Sequence, residues 1–288
     1  MKFLFIGGDM RIASLASMMY EDGYTIACYA LEEAPALDGI CCALSLEDAA
    51  RDADCIVLPL PVLNIRGGLN APLSAHFYNI EDILRRLPKG SLVCAGRPDD
   101  SVKTTAAELG LDMVDYYARE ELVTLNAVAT AEGAISVLLS HSPITIWDSD
   151  ILICGFGRIG KQLTDRLRSF GARITVSARK PGDLAYIRSM GCKAIDTRTL
   201  GAHLGSYNTI INTVPAKIFG RERLSKVRSD TLIIDLASRP GGVDFDAAKD
   251  MGLNFLWALG LPADISPVTS GAIIKETVLN ILYEKRSK

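Results

Sequence analysis

Histidine is scarce in this chain, three in 288 residues, and neither sign of charge dominates: 31 Lys and Arg against 34 Asp and Glu leave a net charge of -3. With no broad basic field to hold a phosphate backbone, nucleic acid is not expected as the main partner. No apolar run approaches the roughly 20 residues that a bilayer-spanning helix needs, so no membrane partner is expected. The apolar stretch at the start is cut short by Gly7, Gly8 and Asp9, which is too early for a secretory signal. The seven cysteines are odd in number, form no C-x-x-C pair and mostly lie in apolar strand-like runs. There a free thiol packs as a small hydrophobe, so a reducing, cytoplasmic setting is expected. No G-x-S-x-G elbow offers a nucleophile. No spacing of Cys, His and carboxylates makes a metal site, and no metal is expected.

Apolar material is plentiful: 49% of residues are hydrophobic and 23% charged, enough at this length for two domains with cores of their own. Apolar runs of strand length alternate with longer helical patterns, which is the signature of βαβ units on a parallel sheet. In the first half they fall at 2–8, 24–30, 54–61, 90–96 and 111–117, and in the second at 150–157, 173–179, 208–215, 230–237 and 253–259. The two sets correspond one to one, and their flanks rhyme: DADCIVLPLPV against SYNTIINTVPA, GLDMVDY against GLNFLWA. The pattern predicts an α/β protein of two doubly wound, parallel-sheet (Rossmann-like) domains joined by a long helix. A ligand cleft is expected at the carboxyl ends of both sheets.

The predicted organisation is an N-terminal substrate or partner domain over 1–120, a connecting helix over 121–142 and a nucleotide-binding domain over 143–265. A C-terminal helix over 266–288 is expected to pack back on the first domain. In the connector, Leu122, Leu125, Val128 or Ala129, Ile135, Leu138 and Leu139 recur at helical spacing. Gly133 within it costs about 1 kcal/mol relative to Ala, which points to close packing or a ligand there. Ser266 is placed to cap the last helix, with Pro267 at its first position.

The strongest chemical signal is ILICGFGRIGKQLTDRLRSFGARITVSARK, which reads as strand, Gly155-x-Gly157-x-x-Gly160, helix, strand. Gly155 permits the tight turn, Gly157 lets backbone approach a pyrophosphate, and Gly160 lets helix pack on strand. Phe156, Arg158 and Ile159 complete this cofactor loop. Glycines alone could mark an ordinary turn, but the strand before, the helix after and the second strand at the right distance favour a dinucleotide. That second strand ends in Ser177, Ala178, Arg179 and Lys180, with no carboxylate until Asp183. An NAD site usually has Asp or Glu there; a hydroxyl followed by two cations suits the 2′-phosphate of NADP, unless it is merely a solvated basic turn. Two further strand ends are expected at the cofactor: Thr213, Val214 and Pro215, then Asp235, Leu236, Ala237 and Ser238. Arg239 follows at once, as either a surface loop arginine or a bidentate clamp for a substrate carboxylate.

The first half begins Gly7-Gly8-Asp9-Met10-Arg11, where Asp9 and Ile12 replace the second and third glycines. Asp9 would repel a pyrophosphate, so the architecture is expected without the nucleotide. Its strand ends offer polar groups instead: Asp9, Arg11, Arg66, Arg97, Tyr116, Tyr117 and Arg119. His76 lies in a Gly/Pro/Asn-rich insertion, 64–79, as a surface histidine or part of a cover over a cleft. No histidine follows the last strand, where a hydroxy-acid dehydrogenase would place its acid–base group; the chain reads LPADISPVTSGA there.

IGGDMR, DYYAREELVTLNAVATAEGAI, CGFGRIG and LWALGLPADISPVTSG together resemble the dipicolinate synthase A-subunit family, over essentially the whole chain. GFGRIG is shared with many dehydrogenases; the other three stretches are more specific. More distantly the plan is similar to D-2-hydroxyacid dehydrogenases and alanine dehydrogenase. The resemblance implies NADP-dependent dehydrogenation of dihydrodipicolinate to dipicolinate in the mother cell of a sporulating bacterium. It implies the flavoprotein-like B-subunit of dipicolinate synthase as partner, and a homo-oligomer is expected. A small dicarboxylate wants cationic partners, so Arg11 and Arg239 are candidate carboxylate ligands, helped by Thr269 and Ser270. Glu132 is a candidate proton acceptor, or orients an arginine, or is simply a helix-surface glutamate. Two rival readings stand beside this one: another NADP-dependent oxidoreductase of a small carboxylate, and a nucleotide-binding subunit without chemistry of its own.

Overall fold

A computed structural model describes residues 1–35, 37 and 40–287. In chain order it runs β1 (Lys2–Ile6), α1 (Met10–Glu21), β2 (Thr25–Tyr29), β3 (Cys41–Cys42), α2 (Leu46–Ala50), β4 (Cys55–Val57), α3 (Ile80–Arg85), β5 (Leu92–Ala95), α4 (Asp100–Glu108) and β6 (Asp112–Asp115). The long helix α5 (Glu120–His141) follows. Then come β7 (Asp150–Cys154), α6 (Arg158–Ser169), β8 (Arg173–Ala178), α7 (Pro181–Ser189), β9 (Lys193–Asp196), β10 (Thr209–Asn212), α8 (Arg221–Leu224), β11 (Leu232–Asp235), α9 (Phe245–Asp250) and β12 (Asn254–Trp257). Two helices close the chain, α10 (Leu261–Ile265) and α11 (Pro267–Arg286). By packing it divides into two compact units, Met1–Asn126 with Ala263–Lys288, and Ala127–Pro262.

Each unit carries a six-stranded parallel sheet, in the orders β3-β2-β1-β4-β5-β6 and β9-β8-β7-β10-β11-β12. These are one topology written twice, the doubly wound order in which ligands bind where the winding reverses. That switch point falls between β1 and β4 in the first unit and between β7 and β10 in the second. Strands β3 and β9 lie outside the apolar runs. β3 has two residues, and β9 is KAID with an exposed lysine at its start.

Helices cover both faces of each sheet. On one face of the first sheet Phe3, Phe5 and Cys28 pack with Ile12, Leu15 and Met19 of α1 and Ile274, Val278, Ile281 and Leu282 of α11. On the other face Leu4, Ile6 and Ile56 meet α2, α3 and α4. In the second unit Leu163 and Leu167 of α6 share a core with Ile151, Ile153 and Val176, and Leu152, Cys154 and Ile210 line the opposite face. Cys28, Cys55, Cys94, Cys154 and Cys192 are buried and Cys42 is exposed; the side chain of Cys41 lies outside the described residues.

Helix α5 departs from expectation in two ways. By length and composition it could cross a bilayer, with a mean hydropathy of 1.7 over 18 residues, but half of that window is buried inside the protein. Its small uncharged residues raise hydropathy without forming a long aliphatic run. Leu122, Ala129, Ile135 and Leu138 are buried, whereas Leu125 and Leu139 are exposed. Gly133 is where Leu261 presses in: a Cβ there would lie 2.8 Å from the Leu261 Cβ.

Candidate functional site

The glycine loop after β7 has the geometry its spacing demands. Gly155 has φ +98°, and a side chain on it would come within 2.5 Å of Thr213 Oγ1, across the switch point. A Cβ on Gly160 would strike the Gly155 carbonyl, so α6 can leave the sheet only with glycine there. Gly157 differs, because nothing lies within 4 Å of its would-be Cβ. It is the N-cap of α6, and no side chain caps that helix. Gly157 has no side chain with which to cap the first turn of this 12-residue helix, and a helix N-terminus without a side-chain cap suits a phosphate. Phe156 is buried and turns into the core, while Arg158 and Ile159 open the helix. The residues fit a dinucleotide pyrophosphate.

At the end of β8 the expected residues separate. Arg179 and Lys180 stand exposed, without an ion-pair partner among the described residues. Ser177 is fully buried and pairs in the sheet with Cys154, whose thiol burial pushes up to about 12. Ser177 therefore faces the core and is corrected as a 2′-phosphate ligand. Ala178 is buried as well. Alternation along a strand sends neighbours to opposite faces, and here both faces are covered.

Beyond β10, Thr213 Oγ1 donates to the Cys154 carbonyl at 2.8 Å, locking the two strand ends beside the glycine loop. Val214 N–H donates to Asn212 Oδ1, and Pro215 is exposed. Beyond β11, the Asp235 carboxylate is completely buried and spent within the protein. It accepts from Asn212 Nδ2 (2.8 Å) and from the backbone N–H groups of Ala237, Gly242 and Val243 (3.0, 2.7 and 3.2 Å). Its side chain is thus corrected from cofactor ligand to the clamp of the 237–243 loop. Leu236 and Ala237 are buried and Ser238 is half-buried. Arg239 is exposed near the tip, 5.4 Å over the Trp257 ring and with no carboxylate partner among the described residues.

In the first unit the corresponding loop is closed by its own side chain. Asp9 caps α1 by accepting from Arg11 N–H (3.0 Å), and it holds the Arg11 guanidinium through Nε (3.0 Å) and Nη2 (2.7 Å). Arg11 also donates to the Leu60 carbonyl and is buried. An internal carboxylate thus takes the position that the second unit leaves open, and much of the Arg11 donor fork is committed.

Of the other polar groups expected there, two are corrected. Tyr116 is fully buried, donates to the Leu58 carbonyl at 2.9 Å, and burial holds its phenol above the usual value. Arg119 is bound to Glu121 and, by two bonds, to Glu284. Arg66 and Arg97 are exposed and Tyr117 is half-buried. His76 is exposed in its loop, edge-on to Tyr78 at 6.4 Å.

Thr269 is exposed on the first turn of α11. Ser270 is buried and is corrected as a carboxylate ligand; at its neighbour Gly271 a Cβ would lie 2.6 Å from the Arg11 carbonyl. Ser266 does precede Pro267 at the start of α11, but makes no side-chain cap bond. Glu132 is exposed and paired with Arg166 at 3.3 Å, which leaves the orienting of an arginine as the reading its geometry carries. Asn212, which donates to Asp235, and Trp257, which donates to the Ala237 carbonyl, support the Arg239 loop but belong to no sequence motif. The signal for Trp257 was its position, one of two tryptophans and the last residue of a strand.

Comparisons with known proteins also divide the chain in two. Residues 2–117 match the N-terminal domain of the dipicolinate synthase A-subunit, and residues 118–250 match the NAD-binding domain of D-isomer-specific 2-hydroxyacid dehydrogenases. The chain is 30% identical to the dipicolinate synthase A-subunit of Bacillus subtilis (strain 168), over 99% of this chain and 96% of that one. Among solved structures, the dipicolinate synthase A-subunit from Bacillus halodurans superposes with a TM-score of 0.89 at 26% identity, over 98% of this chain and 97% of that one. Its counterpart from Bacillus subtilis gives 0.88 at 28% identity, over 100% and 97%. The second unit is a nicotinamide-dinucleotide-binding domain.

Proposed function

The chain belongs to the dipicolinate synthase A-subunit family, and from that membership we propose that it is the dehydrogenating subunit that oxidises a dihydropyridine dicarboxylate to the aromatic pyridine dicarboxylate. The observation that carries the proposal is one unit holding both a glycine-lined helix N-terminus without a side-chain cap and an exposed arginine with no carboxylate partner among the described residues. The first is what a dinucleotide pyrophosphate needs, and the second is what a carboxylate needs.

The roles follow from the chemistry of the groups. The N–H groups at the start of α6 bind the pyrophosphate, and Gly155 and Gly160 keep that approach clear. Arg179 and Lys180 bind a 2′-phosphate, which makes NADP the cofactor rather than NAD. Arg239 takes a substrate carboxylate bidentately and so orients the ring. The bound nicotinamide supplies the hydride acceptor. The ring gives up a hydride to the nicotinamide and a proton to water; no hydroxyl is deprotonated, so the chain needs no acid–base histidine, and aromatisation of the ring makes the step downhill. Glu132 holds Arg166. By the same membership the working enzyme includes a second subunit, and the product serves spore formation.

Calorimetric titration of the purified chain with NADP⁺ and NAD⁺, each with and without dipicolinate, tests the reading. Tight NADP⁺ binding that strengthens when dipicolinate is present is the expected result. NADP⁺ binding indifferent to dipicolinate would overturn the substrate assignment. Absence of binding by either nucleotide would overturn the role of the glycine loop, and the proposal with it.

A further inference from the structure

We propose that Trp257 is the positioning residue for Arg239: its indole holds the guanidinium plane in place while leaving the N–H donors free for an incoming carboxylate. The proposal rests on the reading of Arg239 as the substrate-carboxylate ligand and extends it to the residue that makes this arginine competent.

The indole is built into the loop it serves. Trp257 ends β12 in register with Asp235 at the end of β11. Its Nε1–H donates to the Ala237 carbonyl at 2.9 Å, two residues before Arg239. Two residues after Arg239, a Cβ on Gly241 would lie 3.3 Å from Trp257 Cζ2. Phe245 stacks on the indole with centroids 4.6 Å apart and planes 27° apart, and the Arg239 guanidinium carbon lies 5.4 Å from the Trp257 ring. The loop between these contacts is tied at both ends to the Asp235 carboxylate, through Ala237 N–H on one side and Gly242 and Val243 N–H on the other. Backbone and ring are therefore both fixed before any ligand arrives.

The choice of an aromatic partner matters chemically. An arginine fixed by a carboxylate spends its donor fork on that partner, as Arg11 does on Asp9. An arginine fixed over a ring face is held through the ring quadrupole and keeps its five N–H donors. Only the second arrangement presents a preorganised fork to a substrate carboxylate.

The test uses the chain itself. It has two tryptophans, so W147F leaves Trp257 as the only indole. Titrating dipicolinate into W147F in the presence of NADP⁺, with emission excited beyond the absorption of the pyridine ring, should give a saturable change in Trp257 emission, and R239A in that background should abolish it. Separately, W257L should weaken dipicolinate binding about two- to fivefold, the size of an exposed cation–π contact. W257F, which keeps the ring face, should stay near the wild type, and NADP⁺ affinity should be unchanged in both. Dipicolinate binding by calorimetry without any change in Trp257 emission would overturn the proposal while leaving Arg239 as a ligand. Equal weakening by W257F and W257L would also overturn it, by assigning the effect to the Nε1 bond alone. Wild-type protein that binds NADP⁺ but not dipicolinate would remove the reading of Arg239, and this inference with it. The emission experiment keeps the wild-type residue at 257, so it stands even if W257L folds poorly.

Discussion

Under the proposed reading, cofactor choice turns on Arg179. It is exposed at the end of β8 beside Lys180, with no carboxylate partner among the described residues. A charge-assisted contact is worth about 1.5–3 kcal/mol, so R179A should weaken NADP⁺ binding by about one to two orders of magnitude and leave NAD⁺ binding nearly unchanged. Calorimetry with both nucleotides checks this, and equal weakening of the two would remove the 2′-phosphate assignment. Residues a few positions apart in one motif had opposite fates. Gly157 opens onto empty space and Gly160 is pressed against a carbonyl; Arg179 is free and Ser177 is sealed in the sheet. The glycines were legible because backbone sterics act over a few residues and belong to the motif itself. Ser177 was not, because the face to which a strand residue points depends on what covers the sheet.

At the scale of elements, the contrast between α1 and α6 decides what each unit can hold. Both are 12-residue helices that leave the first strand of a parallel sheet. One is capped by Asp9, and the other begins at a bare Gly157. A cap satisfies the same N–H groups that an anion would, so one residue separates a closed loop from an open one.

Helix α5 illustrates packing in the same terms. Gly133 costs it about 1 kcal/mol of helix propensity, yet Leu261 lies where a side chain would go. Overpacking of this kind costs about 1–3 kcal/mol. G133A should therefore lower the midpoint of urea unfolding despite the better helix former. In a double-mutant cycle with L261A, the two substitutions should cost less together than the sum of their separate effects. Additive effects would show that the contact is not what excludes alanine.

Over the whole molecule, charge pairing sets the response to acid. Arg86 donates to both oxygens of Glu47, at 2.6 and 2.9 Å, and holds that carboxyl down to about 2 from its ordinary 4.5. A group whose pKa is depressed by folding contributes stability above its unfolded value and loses it as pH falls through the folded one. E47Q should thus melt slightly lower than the wild type at neutral pH, with the difference closing between pH 4.5 and about 2. A constant difference across that range would show that the pair does not act through ionisation. Similar pairs tie α11 to the first unit: Lys275 with Asp22, Arg119 with Glu284, Lys285 with Asp112 and Arg286 with Asp54. The same helix buries Ile274, Val278, Ile281 and Leu282 in the core, and that burial is what holds the helix there.

By itself the sequence determined the two parallel sheets, the helix between them, and the dinucleotide loop with its uncapped helix. Each rests on a local rule: the spacing of apolar residues sets the element, and glycine at fixed offsets sets the turn. Only the tertiary structure decided which polar residues remained available. Asp235, Ser177, Tyr116, Ser270 and Arg119 all stood at promising positions along the chain. Folding buried the first four and tied the fifth into ion pairs. Arg239 and Trp257 are 18 residues apart in sequence and in contact over a loop that a buried carboxylate holds. A buried polar group must find partners wherever the fold brings them, and no pattern along the chain records which those will be.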